Sequence, residues 1–115
     1  MFAIAFDMSI AQLKEHYGQP YNNAYYEIGE ILEEHEFYNA QGSVYLTQST
    51  DMANLFEAID ALRSVSWFQN SVRDIRAFRV EDWSDFTNYV KKRGKPQKGN
   101  KMKSSEKMKQ KSLFQ

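Results

Sequence analysis

Cysteine is absent from the 115 residues, so neither a disulfide framework nor a thiolate-bound metal is available. That absence suits a reducing compartment. Long apolar runs are absent too: none approaches the roughly 18 residues that a spanning helix needs, which argues against a membrane protein. The opening MFAIAFDMS is apolar but reaches a carboxylate at Asp7, and it has neither the basic start nor the long apolar stretch of a secretory signal. A soluble cytoplasmic protein is the expectation. At this length the chain has room for one domain.

Basic residues are scarce over most of the chain. Positions 1–90 hold five (Lys14, Arg63, Arg73, Arg76, Arg79) against fourteen acidic residues, whereas positions 91–115 hold ten against Glu106 alone. The formal net charge of +0 therefore hides an acidic body and a basic tail. Such a tail suits sequence-independent binding to a nucleic acid backbone, and suits equally a solubilising terminus.

What is present is a regular alternation of elements. Phe2, Ile4 and Phe6 alternate with Ala3, Ala5 and Asp7, as in a central strand with one small-residue face. Residues 8–18 read as a loop with one helical turn. Tyr21, Tyr25, Ile28 and Leu32 form a stripe, widened by Ala24 and Ile31, that predicts a helix over 21–36. A short strand over 37–40, a turn at Gly42 and a strand over 43–48 follow. Thr50 or Asp51 can cap a helix running to about Ser64, with Met52, Leu55, Phe56, Ile59 and Leu62 as its apolar face. Residues 72–80 form the last strand, and strict alternation puts Val72, Asp74, Arg76 and Phe78 on one face, Arg73, Ile75 and Arg79 on the other. A short helix over 81–92 would pack through Trp83, Phe86, Tyr89 and Val90. The order strand, helix, strand, strand, helix, strand predicts an α+β, ferredoxin-like sandwich: a four-stranded antiparallel sheet with two helices on one face, plus a short C-terminal helix. The folded domain is expected over 1–92 and a disordered basic tail over 93–115. The uncovered sheet face suits a second copy of the chain, hence a homodimer.

Two segments carry chemistry. Asp7 closes the first strand, where a carboxylate is held rigidly with its head near water, as a metal ligand or general base requires. In a two-fold dimer, two such carboxylates could share a divalent cation such as Mg²⁺, which would orient water at a phosphate. The alternative is an aspartate that serves the following loop. Gln41 and Ser43 flank Gly42; their amide and hydroxyl can contact phosphate oxygens or simply satisfy the turn. Arg73, Arg76 and Arg79 can bind phosphate bidentately, or pair with the acidic body. His16 and His35 stand apart, so no Ser–His–Asp or Cys–His arrangement exists.

The segments MFAIAFD (1–7), QGSVY (41–45), DMANLF (51–56) and SVRDIRAFRVEDWSDFT (71–87) closely resemble the virulence-associated protein D family over residues 1–92. The resemblance implies a bacterial endoribonuclease with a ferredoxin-like fold, a homodimer, and kinship with the CRISPR-associated small nucleases. It further implies a role as the toxin of a toxin–antitoxin pair or in virulence, with a small antitoxin protein as partner. In those nucleases an aspartate ends the first strand, which Asp7 matches, and a Gln-x-Ser-Val-aromatic segment opens a later one, which Gln41, Ser43, Val44 and Tyr45 match. The implied reaction is RNA phosphodiester cleavage, either through water on a cation at Asp7 or through the RNA 2′-hydroxyl. The other reading is a dimeric scaffold for nucleic acid or protein in which Asp7 is structural.

Overall fold

The computed structural model describes residues 1–92, so the lysine-rich tail expected over 93–115 lies outside the described residues. The elements run β1 (Phe2–Met8), α1 (Ile10–His16), α2 (Asn22–Glu33), β2 (Tyr38–Gln41), β3 (Val44–Thr47), α3 (Met52–Arg63), α4 (Ser66–Ser71), β4 (Val72–Arg79) and α5 (Thr87–Lys92). The strands form one antiparallel sheet in the order β2-β3-β1-β4, so β1 is central and the chain crosses over twice. This is the α+β, ferredoxin-like arrangement expected from the element order.

Alternation in β1 sets the layers. Phe2, Ile4, Phe6 and Met8 point into the core. There they meet Ala24, Ile28 and Leu32 of α2 and Leu55, Ala58 and Leu62 of α3. The buried residues of α2 recur every four positions, which puts them on one stripe. Asp51 caps α3 by accepting from the Ala53 amide at 3.0 Å. Asn54 donates to the His35 carbonyl at 2.9 Å, pinning α3 to the exit of α2. The chain leaves α2 through Glu36 in the left-handed region, φ 68°, and drops Phe37 into the core with no exposed surface.

Two helices exceed the expected pair. Residues 10–16 form a full helix rather than a loop with a turn. The reason is local: the Ser9 hydroxyl accepts from the Gln12 amide at 3.2 Å, Leu13 anchors the helix in the core, and Lys14 and His16 complement the dipole at its end. Residues 66–71 coil into α4, which buries Phe68 beside Phe6 with ring centroids 5.9 Å apart. The apolar face of α3 is narrower than expected: Met52 and Phe56 are exposed, and Ala58 is buried in their place.

The described residues divide into two units, one over residues 1–82 and a second that starts at Trp83. In the second, α5 covers only the last part of the helix expected over 81–92. Asp85 accepts from the Thr87 amide at 2.9 Å to start it, and the Phe86 and Tyr89 rings meet edge to face. Trp83, Phe86, Tyr89 and Val90, expected as packing residues, are exposed.

Candidate active site

The face of the sheet away from α2 and α3 follows from the same alternation. Ala3, Ala5 and Asp7 point there from β1, and register brings their neighbours alongside. Tyr38, Leu46, Ala3 and Phe78 form one row. Gln41, Val44, Ala5 and Arg76 form the next. Asp7 and Asp74 form the last, directly opposite each other. One end of the face is therefore apolar and the other charged.

At the charged end the β1–β4 ladder breaks. Met8 pairs with Val72 and Asp7 with Asp74, so Arg73 is one residue more than β1 can match. This bulge corrects the strict alternation expected of β4. Val72 turns inward and packs with Ile75 against the core. Arg73, released from that side, brings its guanidinium within 3.7 Å of the Asp7 carboxylate, with both side chains about two-thirds exposed. Arg76 binds Asp74 through two bonds, Nε at 2.9 Å and Nη2 at 3.1 Å. That bidentate bond holds the Asp74 carboxyl below its ordinary value. The result is two carboxylates and two guanidiniums at one strand end. The Asp7 pair is loose and single; the Asp74 pair is tight.

The other candidates are placed less evenly. Gln41 is exposed in the row next to this cluster. Ser43 extends the β1–β3 ladder by one bond, its carbonyl accepting from the Phe6 amide at 3.2 Å. Gly42 turns there at φ 48°, and Asn39 donates to the Gly42 carbonyl at 2.7 Å, which fixes the loop that carries Ser43. Arg79 departs from the group. It pairs with Phe2 in register and lies over that ring at 5.1 Å, on the other face and at the far end of β4. The expectation that Arg73 and Arg79 share a side thus fails because of the bulge. His16 binds Gln12 and His35 serves α3 through its carbonyl, so neither histidine is part of the cluster.

Asp74 is a functional candidate that the sequence analysis does not single out; only the register sets it opposite Asp7. Tyr25 is a second neighbour. Burial first, then Tyr21 and Asp7, raise its phenol above the ordinary value. Among the described residues no three His, Cys, Asp or Glu side chains gather as a metal cluster. Asp7 and Asp74 are the two carboxylates at this strand end, each with an arginine beside it.

Comparison with known proteins decides the family. Endoribonuclease VapD 1 of Riemerella anatipestifer is 63% identical over 86 residues, covering 75% of this chain and 97% of that protein. The chain belongs to the VapD family. Endoribonuclease VapD of Dichelobacter nodosus is 58% identical over 91 residues, covering 79% of this chain and 98% of its own length. That of Helicobacter pylori is 50% identical over 93 residues, covering 79% and 99%. No family model matches the chain. The VapD match confirms the resemblance read from the four segments.

Proposed function

We propose that this chain is an endoribonuclease that cuts RNA on the uncovered face of its sheet, at the Asp7–Asp74–Arg73–Arg76 cluster. The observation that carries the reading is that cluster, on a rigid strand end, in a chain 63% identical to a protein named an endoribonuclease. Arg73 exchanges its single contact with Asp7 for a phosphate oxygen, because arginine forks match phosphate and the existing pair is exposed and long. Asp7, released, takes the proton of the RNA 2′-hydroxyl. The 2′-oxygen attacks phosphorus, the bond to the 5′-oxygen breaks, that oxygen takes a proton from water and leaves as a 5′-hydroxyl, and a 2′,3′-cyclic phosphate remains. Arg76, held by Asp74, offers fixed positive charge beside the phosphate, and the Gln41 amide, in the same row as Arg76, contacts its oxygens; Ser43, opposite the core-facing Phe6, takes no part on this face.

A second reading rests on the placement of Asp7 opposite Asp74. The two would hold a divalent cation between them, which supplies charge neutralisation and an activated water. Product ends separate the two: a 2′,3′-cyclic phosphate formed in EDTA supports the first, and cutting that requires Mg²⁺ and leaves a simple phosphate supports the second. Cutting that survives Asp7→Asn contradicts both, and no cutting at all favours the non-catalytic scaffold.

The same proposal includes a homodimer. Tyr38 and Phe78 are exposed on either side of Leu46 and Ala3, an apolar row suited to a second copy while the charged end stays open. Sedimentation of wild type and Phe78→Glu tests it. A small antitoxin protein as partner and a cytoplasmic setting complete the reading. Among the described residues no helix is long and apolar enough to cross a membrane.

A further inference from the structure

The helical side of the sheet holds a cavity unlike the RNA-facing cluster. It has a volume of about 460 Å³ and is lined by Phe6, Tyr25, Tyr26 and Tyr45 with Glu30 and Glu33 of α2. Gly29 keeps the wall open: a Cβ there would come within 3.2 Å of the Tyr45 hydroxyl. Tyr26 stands at the rim with 73% of its surface exposed, although a tyrosine left in water on a helix does nothing for the fold. Tyr45 is almost buried; burial and then Glu33 raise its phenol, so it stays neutral and Glu33 lies near it. The cavity thus presents aromatic surfaces beside carboxylates and has no basic residue in its lining.

Its surroundings share that bias. From Glu15 to Leu62 the sequence has no lysine or arginine and nine acidic residues. These positions include all of α2, β2, β3 and all but the last residue of α3. Every basic residue of the body except Lys14 lies after them. The basic groups aligned with Asp7, by contrast, belong to β4. Among the described residues an RNA backbone approaching the cavity side meets an acidic surface, whose field opposes nucleic acid there.

We infer that the tyrosine-lined cavity takes an arginine side chain from a basic protein segment, the guanidinium lying on the Tyr26 ring and donating to Glu30 and Glu33. Planarity, five donors and a weak hydration shell make guanidinium the cation best suited to an aromatic wall with carboxylates at its edge. The surrounding acidic surface steers such a segment in and sets its orientation. Occupation leaves the opposite face of the sheet open, so a partner held here does not need to displace RNA. This placement relies on the cavity and the charge distribution, and it stands whether or not the proposed cleavage chemistry is right.

The test uses the full chain and a fluorescein-labelled peptide of alternating arginine and glycine, followed by anisotropy at low salt. Tyr26→Ala and the double variant Glu30→Gln/Glu33→Gln are expected to weaken the peptide by about tenfold, through loss of the cation–π contact and of the charge-assisted hydrogen bonds respectively. Glu57→Gln/Asp60→Asn, which removes the same charge from α3, is expected to change it less than twofold, and a lysine–glycine peptide is expected to bind more weakly than the arginine one. Tyr26 is exposed, so its truncation leaves the core intact. Equal weakening by both double variants with no effect of Tyr26→Ala would mean general charge attraction and overturn the inference. Displacement of the peptide by a short single-stranded RNA, weakened in turn by Tyr26→Ala, would assign the cavity to a nucleobase and also overturn it. Cleavage by the Tyr26 variant separates the two sites: it is expected to match wild type, and Asp7→Asn is expected to bind the peptide normally.

Discussion

Asp7 and Asp74 face each other across adjacent strands, and each carries its own arginine. Two like charges directly opposed in a ladder repel. The bulge at Arg73 and the fork of Arg76 relieve that repulsion, one loosely and one tightly. The asymmetry gives the pairs different tasks: Arg73 can leave, Arg76 stays.

Arg73→Gln is therefore expected to lower RNA affinity and to reduce the slope of log affinity against log salt by about one. Arg79→Gln, which removes a guanidinium of the same charge from above Phe2, is expected to leave cleavage unchanged and to cost no more than about 1 kcal/mol of stability. Filter binding across a salt series, with unfolding in urea alongside, checks both. Equal effects of the two variants on RNA would show that only overall charge matters.

The Asp74–Arg76 pair makes a pH prediction with a definite sign. The folded carboxyl is held below its unfolded value, so the stabilisation is full above the unfolded value, near 3.9, and is lost as pH falls through the folded one. Replacing Arg76 with Gln is expected to bring the Asp74 carboxyl back toward the ordinary range in a carboxyl NMR titration. An unchanged titration would contradict the bidentate bond.

The core has a sharp edge at α3. Ile28→Ala, deep between α2 and the sheet, is expected to cost about 2–5 kcal/mol. Phe56→Ala, despite its apolar spacing, is expected to stay within about 0.5 kcal/mol because the ring is exposed. Urea melts of the two variants decide it.

Glu36 holds a left-handed φ of 68° without being glycine. Glu36→Gly is expected to stabilise the fold by about 0.5–1 kcal/mol, the strain relieved less the extra freedom of the unfolded chain. A fall in the thermal midpoint would show that the glutamate side chain contributes more than its backbone costs.

Much of this was legible in the chain. The alternation from Phe2 to Asp7 fixes both faces of β1, and the stripe through Ile28 and Leu32, widened by Ala24, marks the inner side of α2, while Tyr21 and Tyr25 of that stripe are only partly buried. Asp7 could be chosen for its place at a strand end. The bulge could not be read, because Val72-Arg73-Asp74 alternates as well as any strand; only pairing with β1 shows that one residue is surplus. Arg79 and Arg73 were separated for that reason, and Asp74 joined Asp7 for the same one. Helix α1 went unread although Ser9 and Gln12 stand at capping spacing, since its single buried side chain, Leu13, gives no periodicity. Phe56 misled because spacing reports where a helix could be apolar, not how far its neighbours reach.

The most direct measurement is cleavage of end-labelled RNA by purified wild type and Asp7→Asn, in Mg²⁺ and in EDTA, with circular dichroism confirming that both are folded. Asp7 is exposed at a strand end, so its amide leaves the core untouched. Wild type is expected to cut, and the variant to lose at least about a hundredfold in rate, the usual scale for a positioned acid–base group. Equal cutting by a folded Asp7→Asn protein would contradict the assignment of the β1 end as the catalytic centre.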